Sequence, residues 1–382
     1  MNRLKVMTVF GTRPDTIKMA PVVHALQKHP QIESIVCVTA QHRQMLDDLL
    51  VFFDLHPRYD LDIMTRDQTL TQITTRVLAG MEPVLAEARP DVVLVHGDTT
   101  TSSSAALASF LAGIPCGHVE AGLRTNDRWT PYPEEMNRRL TGTIAEYHFA
   151  PTDLARTHLL RENVAAEDVI VTGNTVIDAF VATAGRDDLP EPPRIGEIDP
   201  ARPLIVVTAH RRENHAHMRE MCEAMREVAS LPSRPQIYWP VHPSPRVAPI
   251  AREILGDVPG VVLVEPIDYA LMVSAVKRCT FVLTDSGGLQ EEAPCLGKPV
   301  LVMREETERP EGLEAGTLEL VGHDRAKIVA ASARLLDDPQ AYARMARAAN
   351  PYGDGRASDR IVAWLLARLR GGVPPAPFNV AG

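Results

Sequence analysis

The chain has 382 residues, of which 45% are hydrophobic and 23% are charged, and its formal net charge at pH 7 is −9. This length favours two domains over one, and the acidic balance argues against a broad nucleic-acid or membrane surface while leaving room for a local basic pocket. The five scattered cysteines lack CxxC spacing and no apolar stretch is long enough for a membrane span or a signal peptide, so we expect a cytoplasmic protein with free thiols.

In the first half of the chain, apolar runs of strand length alternate with segments of helical period, which is the βαβ pattern of a parallel sheet. The predicted strands are 4–10, 33–39, 91–97, 114–119, 147–150 and 169–172. The predicted helices between them are 15–28, 41–53, 69–88, 99–112, 133–146 and 152–161.

Residues 184–203 are rich in proline and charge, which predicts a linker. A second series of predicted strands follows at 204–208, 236–241, 261–264, 280–284, 299–303 and 317–321. The last predicted helices are 324–337, 339–349 and 357–370. The domain prediction is therefore a Rossmann-like domain at 1–183, the linker at 184–203, a second Rossmann-like domain at 204–356, a helix at 357–370 that crosses back to the first domain, and a disordered tail at 371–382.

Polar residues follow strand after strand, and in an open α/β sheet ligands bind beyond the carboxyl ends of the strands. The first such loop, 11–14, opens a helix beside Arg13 and Lys18, a pattern typical of a phosphate contact, although a helix cap with two solvated cations would look the same. The chain contains neither GxxxxGK[ST] nor GxGxxG, which disfavours a P-loop and a nicotinamide or flavin site.

Three carboxylates follow in the first half. Asp98 ends a predicted strand and could equally be a helix N-cap. Glu120 follows a strand with no helix to cap, which suggests either a raised pKa with a role in proton exchange or a salt bridge to Arg124. Glu134 and Arg138 are four apart on one helix face, where a surface ion pair is the alternative to a functional role.

The second half repeats this plan. His210 comes just after the strand 204–208, where it could bind a phosphate oxygen or act as an acid. The spacing of His215 and His217 does not match a metal site. In the stretch 284–292, a strand runs into a glycine turn whose backbone N–H groups could cradle a diphosphate without a lysine. Glu292, one helical turn on, could accept two hydrogen bonds from a ribose diol, and a plain βα turn is the alternative.

Together these stretches resemble the non-hydrolysing UDP-N-acetylglucosamine 2-epimerases of bacterial type. The matching stretches lie in order from residue 10 to about 355 and include FGTRPDTIKMAP, VHGDTTTS, GHVEAGLRT, PYPEEMNRR, TGNTVIDA, HRREN, TDSGGLQEEAPCLGKPVLVMR and ETERPE. The resemblance implies the GT-B architecture, in which two Rossmann-like parallel-sheet domains hold the active site in the cleft between them. It also implies a homodimer, a UDP-sugar substrate and no redox cofactor or metal.

The resemblance further implies roles for individual residues. UDP would be held by Arg13, His210, Ser286, Gly287, Gly288, Glu292 and Arg309. Lys18 and Arg138 would lie near the sugar and the diphosphate. The implied catalytic residues are Asp98, Glu120, Glu134 and His210. The implied reaction is reversible epimerisation at C2 of UDP-GlcNAc to UDP-ManNAc, by anti elimination of UDP and re-addition through a 2-acetamidoglucal intermediate, and it would supply precursors for cell-surface polysaccharide.

A regulatory site for a second substrate molecule is implied as well, at Gln41, His42, Gln44, Arg66, Arg211 and His242. The stretch PVHPSP departs from the PVHLNP common in the family, which affects the loop beside His242. Three alternatives stay open. An epimerase could act on a UDP-diacetamido-uronic acid, a GT-B glycosyltransferase would need an acceptor pocket, and a non-catalytic nucleotide-sugar sensor would bind UDP without solvent exchange.

Overall fold

The computed structural model describes residues 3–40 and 43–380. The chain divides into two compact units, and the boundary between them falls inside a helix, Thr175–Ala184. The first unit runs to Ala179 and is completed by Tyr352–Val380, while the second is Phe180–Pro351.

The first unit is built on a seven-stranded parallel sheet of order β3-β2-β1-β4-β5-β6-β7. Its strands are β1 (Leu4–Phe10), β2 (Ile32–Val38), β3 (Tyr59–Asp60), β4 (Val92–His96), β5 (Cys116–Val119), β6 (Tyr147–Ala150) and β7 (Val169–Val171). Its helices are α1 (Arg13–Gln27), α2 (Arg43–Phe52), α3 (Leu70–Ala88), α4 (Thr100–Leu111), α5 (Glu134–Ile144), α6 (Asp153–Arg161), the start of α7 (Thr175–Ala184) and, from the end of the chain, α15 (Ala357–Arg370).

The second unit is built on a six-stranded parallel sheet of order β10-β9-β8-β11-β12-β13. Its strands are β8 (Leu204–Thr208), β9 (Gln236–Pro240), β10 (Val261–Val264), β11 (Phe281–Thr284), β12 (Val300–Val302) and β13 (Leu318–Leu320). Its helices are α8 (Met218–Ala229), α9 (Ala248–Leu255), α10 (Tyr269–Arg278), α11 (Gly287–Glu292), α12 (Pro310–Ala315), α13 (Arg325–Asp337) and α14 (Pro339–Ala346).

The local sequence explains why these elements form. β4 is VVLVH with every residue buried, because a parallel strand covered by helices on both faces is apolar without alternation. Val93 of β4 shares one core with Val77 and Met81 of α3. α1 begins at Arg13 because Thr12 and Asp15 form a capping box that satisfies its first N–H groups.

The strand order fixes where a ligand would bind. In the first sheet the order reverses between β1 and β4, and in the second sheet between β8 and β11. Ligands of open α/β sheets bind at the carboxyl ends of strands beside such a switch point. The loops that follow these strands contain Arg13, Asp98, His210 and Asp285.

Most predicted strands and helices are confirmed within about two residues, the usual uncertainty of element ends. The strand β3 was missed because its two residues contain no apolar run. The predicted helix 339–349 ends earlier, at Ala346.

All five cysteines are free thiols, as predicted. Within residues 3–40 and 43–380, no helix has the length and apolar character that crossing a membrane requires.

The predicted disorder of the tail is wrong for residues 371–380. Phe378 is buried, and its N–H donates to the carbonyl oxygen of Val171 at 2.8 Å. The guanidinium of Arg360 lies 5.5 Å from the centre of the Phe378 ring. A proline-rich segment makes few backbone hydrogen bonds of its own, but its stiffness lowers the entropy lost when one aromatic side chain is buried. Residues 381 and 382 lie outside the described residues.

Candidate functional site

Glu120 lies at the centre of a polar cluster in the first unit, directly after β5. Its Oε2 atom accepts hydrogen bonds from Nζ of Lys18 at 2.5 Å and from Nδ2 of Asn174 at 2.8 Å. Nε2 of His96 lies 3.8 Å from the same oxygen. The backbone of Glu120 has φ = +63°, a left-handed conformation that costs a non-glycine residue about 1–2 kcal/mol. Such strain persists where the surroundings hold a side chain in one position, and it concentrates at functional sites.

The charge state of Glu120 differs from the prediction. Burial alone would raise the pKa of its carboxyl, but Lys18, His96 and the hydrogen bond from Asn174 hold the pKa well below its usual range. The expectation of a raised pKa is therefore wrong. The suggested salt bridge to Arg124 is also wrong, because Arg124 pairs with Glu162 at 2.6 Å. Both errors have one cause, since the partner of Glu120 lies on α1, far away in the chain.

Asp98 lies between β4 and α4 and pairs with Arg138, whose Nη2 donates to Oδ2 at 2.5 Å. It is not the N-cap of α4, because Thr99 fills that position and its Oγ1 accepts the N–H of Ser102 at 3.1 Å. Burial and the nearby charge of Glu120 raise the pKa of Asp98, although Arg138 and Lys18 act in the opposite direction. The carboxylates of Asp98 and Glu120 thus have pKa values shifted in opposite directions.

Arg138 makes a different ion pair from the one suggested by its spacing from Glu134. Its second partner is Glu135, at 3.7 Å, and Glu134 is half-buried at the first position of α5. Glu135 is fully buried, and its carboxylate accepts the N–H groups of Thr125 at 3.0 Å and Asn126 at 3.3 Å. It therefore holds the loop that leads into α5.

Two residues of the cluster were missed from sequence. Asn174 lies in the stretch TGNTVIDA, from which no role for it was predicted. His96 is the last residue of β4, and burial lowers the pKa of its imidazole to about 4, so it is neutral at pH 7. The position of His96, at the end of a strand on the ligand side of the sheet, could have indicated from sequence that it belongs to the site.

The loop after β1 brings Arg13 to the same end of the first sheet. Gly11 is required there, because a Cβ atom on it would lie 1.8 Å from Oγ1 of Thr39. The carboxylate of Asp15 accepts the N–H of Gly11 at 3.2 Å and the N–H of Thr12 at 2.7 Å. Arg13 itself is half-buried at the first position of α1.

In the second unit, His210 follows β8 and its side chain is 43% exposed. Its ring stacks on that of His242, with the ring centres 6.0 Å apart. Burial lowers the pKa of His210, and so do the nearby Arg211 and His242, whereas Asp285 acts in the opposite direction. Nδ1 of His210 lies 3.3 Å from Oδ1 of Asp285.

The glycine turn beside His210 brings backbone and cations together. Ser286 occupies the N-cap position of α11, which begins at Gly287. A Cβ atom on Gly287 would lie 3.4 Å from Nη2 of Arg211 and 3.4 Å from Cζ of Arg309, so the missing side chain lets two guanidinium groups approach the turn. Nε of Arg309 is held by a hydrogen bond to Oε1 of Glu291, at 2.8 Å. This surface combines the features that bind an anionic oxygen.

Two further predicted residues border the same turn. Gly288 is exposed, and a Cβ atom there would lie 3.5 Å from Oε2 of Glu292. Among the described residues, no cluster of three or more histidine, cysteine, aspartate or glutamate side chains could hold a metal ion.

The residues predicted for a regulatory site are only partly described. Gln41 and His42 lie outside the described residues, and Gln44 belongs to α2. The side chain of Arg66 is 96% exposed in the first unit. Arg211 and His242 belong to the second unit, where both lie close to His210.

Comparisons with known proteins agree with one another. A family model described as UDP-N-acetylglucosamine 2-epimerase matches residues 24–366. A UDP-N-acetylglucosamine 2-epimerase of Salmonella typhimurium is 53% identical over 368 residues, which cover 94% of this chain and 97% of that protein.

Solved structures of proteins described as UDP-N-acetylglucosamine 2-epimerases also match the chain. The crystal structure of a putative UDP-N-acetylglucosamine 2-epimerase from Listeria monocytogenes matches with a TM-score of 0.94 and 46% identity, over 99% of this chain and 100% of that one. The UDP-GlcNAc 2-epimerase from Neisseria meningitidis, crystallised with UDP-GlcNAc bound, matches with a TM-score of 0.84 and 45% identity, over 95% and 100% of the two chains. With the two parallel sheets, these matches confirm the predicted GT-B fold class.

Proposed function

The chain belongs to the UDP-N-acetylglucosamine 2-epimerase family of isomerases, and we propose that it converts UDP-GlcNAc reversibly into UDP-ManNAc. The proposed route is anti elimination of UDP and re-addition through a 2-acetamidoglucal intermediate. The observation that supports it most strongly is a cluster in which two carboxylates, directly after β4 and β5, pair with two cations of α1 and α5. Its members are Lys18, Asp98, Glu120 and Arg138.

The proposed chemistry needs a base and a departing group to act together. A carboxylate takes the C2 proton, the electron pair of that C–H bond forms the C1=C2 double bond, and the C1–O bond breaks with its pair leaving on UDP. Glu120 suits the role of base because its pKa is held low, so it is ionised at pH 7. Asp98, with its raised pKa, takes up a proton more readily. Carboxylates whose environments separate their pKa values are suited to opposite acid and base roles.

Inversion at C2 requires that the proton leaves one face of the sugar and returns to the other, hence more than one acid/base group. We propose that Asp98, Glu120 and Glu134 share this work. Because the intermediate is no longer bonded to UDP through C1, UDP must stay bound to the protein until it adds back. The residues proposed for proton transfer at C2 all lie in the predicted N-terminal domain, 1–183.

UDP leaves readily only if its growing charge is stabilised. We propose that the predicted C-terminal domain, 204–356, supplies this stabilisation, with Arg13 and Lys18 of the first domain assisting. This proposal is supported by the second unit, in which His210 lies close to a glycine turn that two guanidinium groups approach. The proposed UDP-binding residues of this domain are His210, Ser286, Gly287, Gly288, Glu292 and Arg309.

A single experiment in D2O tests the reaction. UDP-GlcNAc labelled with ¹⁸O at the oxygen between C1 and the β-phosphorus is incubated with the enzyme and no acceptor. We expect UDP-ManNAc with deuterium at C2, and recovered UDP-GlcNAc in which the label has moved to non-bridging β-phosphate oxygens. Epimerisation with retained C2 hydrogen would exclude the elimination route, and movement of the label shows that the C1–O bond breaks. A glycosyltransferase or a nucleotide-sugar sensor would give neither product nor exchange.

The same assay settles the sugar. Deuterium incorporation into a UDP-diacetamido-uronic acid at a higher kcat/KM than into UDP-GlcNAc would contradict the proposed substrate. The matched control is Glu162→Gln, which removes an ionisable carboxylate of the first unit that pairs with Arg124 outside the cluster. It should leave deuterium incorporation unchanged.

We also propose that the protein is a homodimer assembled through α3 and α4. An apolar groove of about 860 Å³ lies along these helices and is lined by residues such as Leu78, Leu85 and Ile114. Leu111, which also lines the groove, is 70% exposed, and its chain neighbour Phe110 is 63% exposed. Contiguous exposed apolar surface of this kind is typical of an interface.

Light scattering tests the assembly. Leu111→Glu should convert a dimer to a monomer, because it introduces a charge into the apolar face. Val51→Glu, at an 82% exposed apolar position on α2, is the matched control and should stay dimeric. A dimer in both variants would rule out this face.

Finally, we propose that the enzyme acts in the cytoplasm, that its product feeds a cell-surface polysaccharide, and that a second UDP-GlcNAc molecule activates it. Arg211, beside Gly287, supports a regulatory contact close to the UDP site. With UDP-ManNAc as sole substrate, progress curves should show a lag that traces of UDP-GlcNAc abolish. Linear initial rates without UDP-GlcNAc would contradict activation. The proposed regulatory residues are Gln41, His42, Gln44, Arg66, Arg211 and His242.

A further inference from the structure

Asp285 and His210 follow two neighbouring strands at the switch point of the second sheet. β8 and β11 pair in parallel, with Thr208 opposite Thr284. The N–H of Asp285 donates to the carbonyl oxygen of Thr208 at 3.1 Å, which ties the start of one loop to the end of the other strand. Since both loops leave the same end of the sheet, the two side chains meet.

One carboxylate oxygen of Asp285 fixes the backbone that carries His210. The residue is fully buried, and its Oδ2 accepts three hydrogen bonds, from the N–H groups of His210 and Arg211, both at 2.8 Å, and from Nδ2 of Asn214 at 3.0 Å. These donors saturate Oδ2 and leave Asp285 little freedom to rotate.

The other oxygen, Oδ1, faces the imidazole of His210. It lies 3.3 Å from Nδ1, and within the described part of the chain it has no hydrogen-bond partner. A buried carboxylate oxygen without a donor is costly, because it has lost its hydrogen bonds to water and gained none in the protein. A proton on Nδ1 of His210 removes that cost.

Asn214 supports this arrangement from behind. It is fully buried, and Nδ2 donates to the carbonyl oxygen of Met303 as well as to Asp285. Its Oδ1 lies 2.7 Å from Nε2 of His323. A side chain held at both ends fixes the orientation of the carboxylate, and thus the direction of Oδ1.

We propose that Asp285 is a positioning residue that keeps the proton of His210 on Nδ1 and leaves Nε2 as the atom that meets the diphosphate of UDP. The proposal rests on the proposed function, since it concerns how that same site handles the leaving group. With Nδ1 protonated, Nε2 takes up a proton from solvent to form the imidazolium, and it donates this proton in a hydrogen bond to a β-phosphate oxygen as the C1–O bond breaks. When UDP adds back, Nε2 regains any proton it has transferred.

The charges around the ring show why His210 needs this partner. Among the described groups that act on the imidazole, Asp285 alone favours the protonated form, whereas burial, Arg211 and His242 oppose it. Without Asp285, the ring would face two basic groups with no compensating charge.

Asp285→Asn tests the proposal with little change of shape. The amide oxygen can replace Oδ2 as an acceptor, but the amide nitrogen then presents a donor to Nδ1, which moves the ring proton to Nε2. We expect kcat to fall on the order of 100-fold, the contribution typical of a positioned acid/base group, while UDP affinity measured by calorimetry changes far less. The limb of the pH–kcat profile that reports His210 should move to lower pH, because the group that raises its pKa is gone.

A double-mutant cycle separates positioning from a structural role. If Asp285 acts through His210, adding Asp285→Asn to His210→Ala changes kcat by less than about twofold, because the group it orients is already absent. Multiplication of the two separate losses would overturn the proposal. Asp338→Asn, the same exchange at the N-cap of α14, is the control and should retain full activity.

The ring nitrogens of the wild-type protein give an answer that needs no variant of Asp285. ¹⁵N spectra of histidine-labelled protein above the pKa of the ring, assigned with His210→Ala, should show the Nδ1–H tautomer at His210. An Nε2–H tautomer would overturn the proposal even if Asp285→Asn fails to fold. Failure of the proposed function would appear separately, as absence of C2 exchange by the wild-type enzyme.

Discussion

Lys18 of α1 and Glu120 after β5 form an ion pair in which Nζ lies 2.5 Å from Oε2. Both side chains are largely buried, at 19% and 7% exposure, so water screens the pair little. The ammonium therefore decides the charge of the carboxylate. Burial acts in the opposite direction and raises the pKa of Glu120, and a protonated carboxyl cannot accept the C2 proton.

Lys18→Met should raise the pKa of Glu120, because it removes the nearest positive charge that opposes the effect of burial. A carboxylate with a depressed pKa loses its charge as the pH falls through that pKa. In the variant this loss moves toward neutral pH, so the acidic limb of the pH–kcat/KM profile should shift upward. Lys18→Arg keeps the charge and is the control. Superimposable profiles for the two variants would show that the ammonium does not set the charge of Glu120.

Asp98→Asn should reduce kcat on the order of 100-fold or more, since it removes an acid/base group and leaves the guanidinium of Arg138 without its 2.5 Å partner. UDP affinity should be retained, because the residues proposed to hold UDP are other ones. Deuterium incorporation at C2 and calorimetry with UDP measure the two effects. Loss of UDP binding in parallel with turnover would assign Asp98 a structural role.

Much of the fold could be predicted because a parallel sheet has a simple pattern. Its strands are apolar runs, and the residues after them share one edge, so the positions of Asp98, Glu120 and His210 at the ligand side followed from the sequence. Asp285 stood in the same pattern, as the first residue after FVLT.

What the sequence could not provide is which side chains meet. The partner of Glu120 lies on α1, and without Lys18 the direction of the pKa shift is predicted wrongly. Glu134 and Glu135 are neighbours, and one residue turns a side chain by about 100° around the helix. The sequence alone therefore could not show which of the two pairs with Arg138. The helical register directs Glu135 into the protein, where it holds the loop before α5.

Gly122→Ala should destabilise the segment that carries Glu120 more than an ordinary glycine substitution would. At Gly122, φ is +94° and a Cβ atom would lie 2.2 Å from the carbonyl oxygen of Ala155, a backbone atom that cannot move aside. Gly113→Ala is a close control, because its φ is +69° but no atom lies within 4 Å of the added Cβ. The control should cost about 1 kcal/mol through its backbone conformation. Urea unfolding should show a clearly larger loss for Gly122→Ala, and equal losses would mean that the contact with Ala155 relaxes freely.

The stability of the fold should depend on pH through Asp178, which anchors the start of α15. Asp178 of α7 is buried, and its carboxylate accepts the N–H groups of Ala357 at 3.1 Å and Ser358 at 2.7 Å. Burial raises its pKa to about 6, although both hydrogen bonds lower it. In the unfolded chain the pKa of an aspartate is about 3.9.

Because the folded state holds this proton more tightly, Asp178 favours folding most at low pH, and that contribution is lost as the pH rises from about 4 to about 6. A shift of about two units corresponds to on the order of 3 kcal/mol. Asp178→Asn does not titrate, so the difference in unfolding free energy between wild type and variant should change by up to this amount across the window. Asp153→Asn, which alters an exposed carboxylate in the first turn of α6, should show a much smaller change. A wild-type minus Asp178→Asn difference that stays constant from pH 4 to pH 7 would mean that Asp178 is ionised in the folded protein throughout, with its charge satisfied by the two N–H groups at the start of α15.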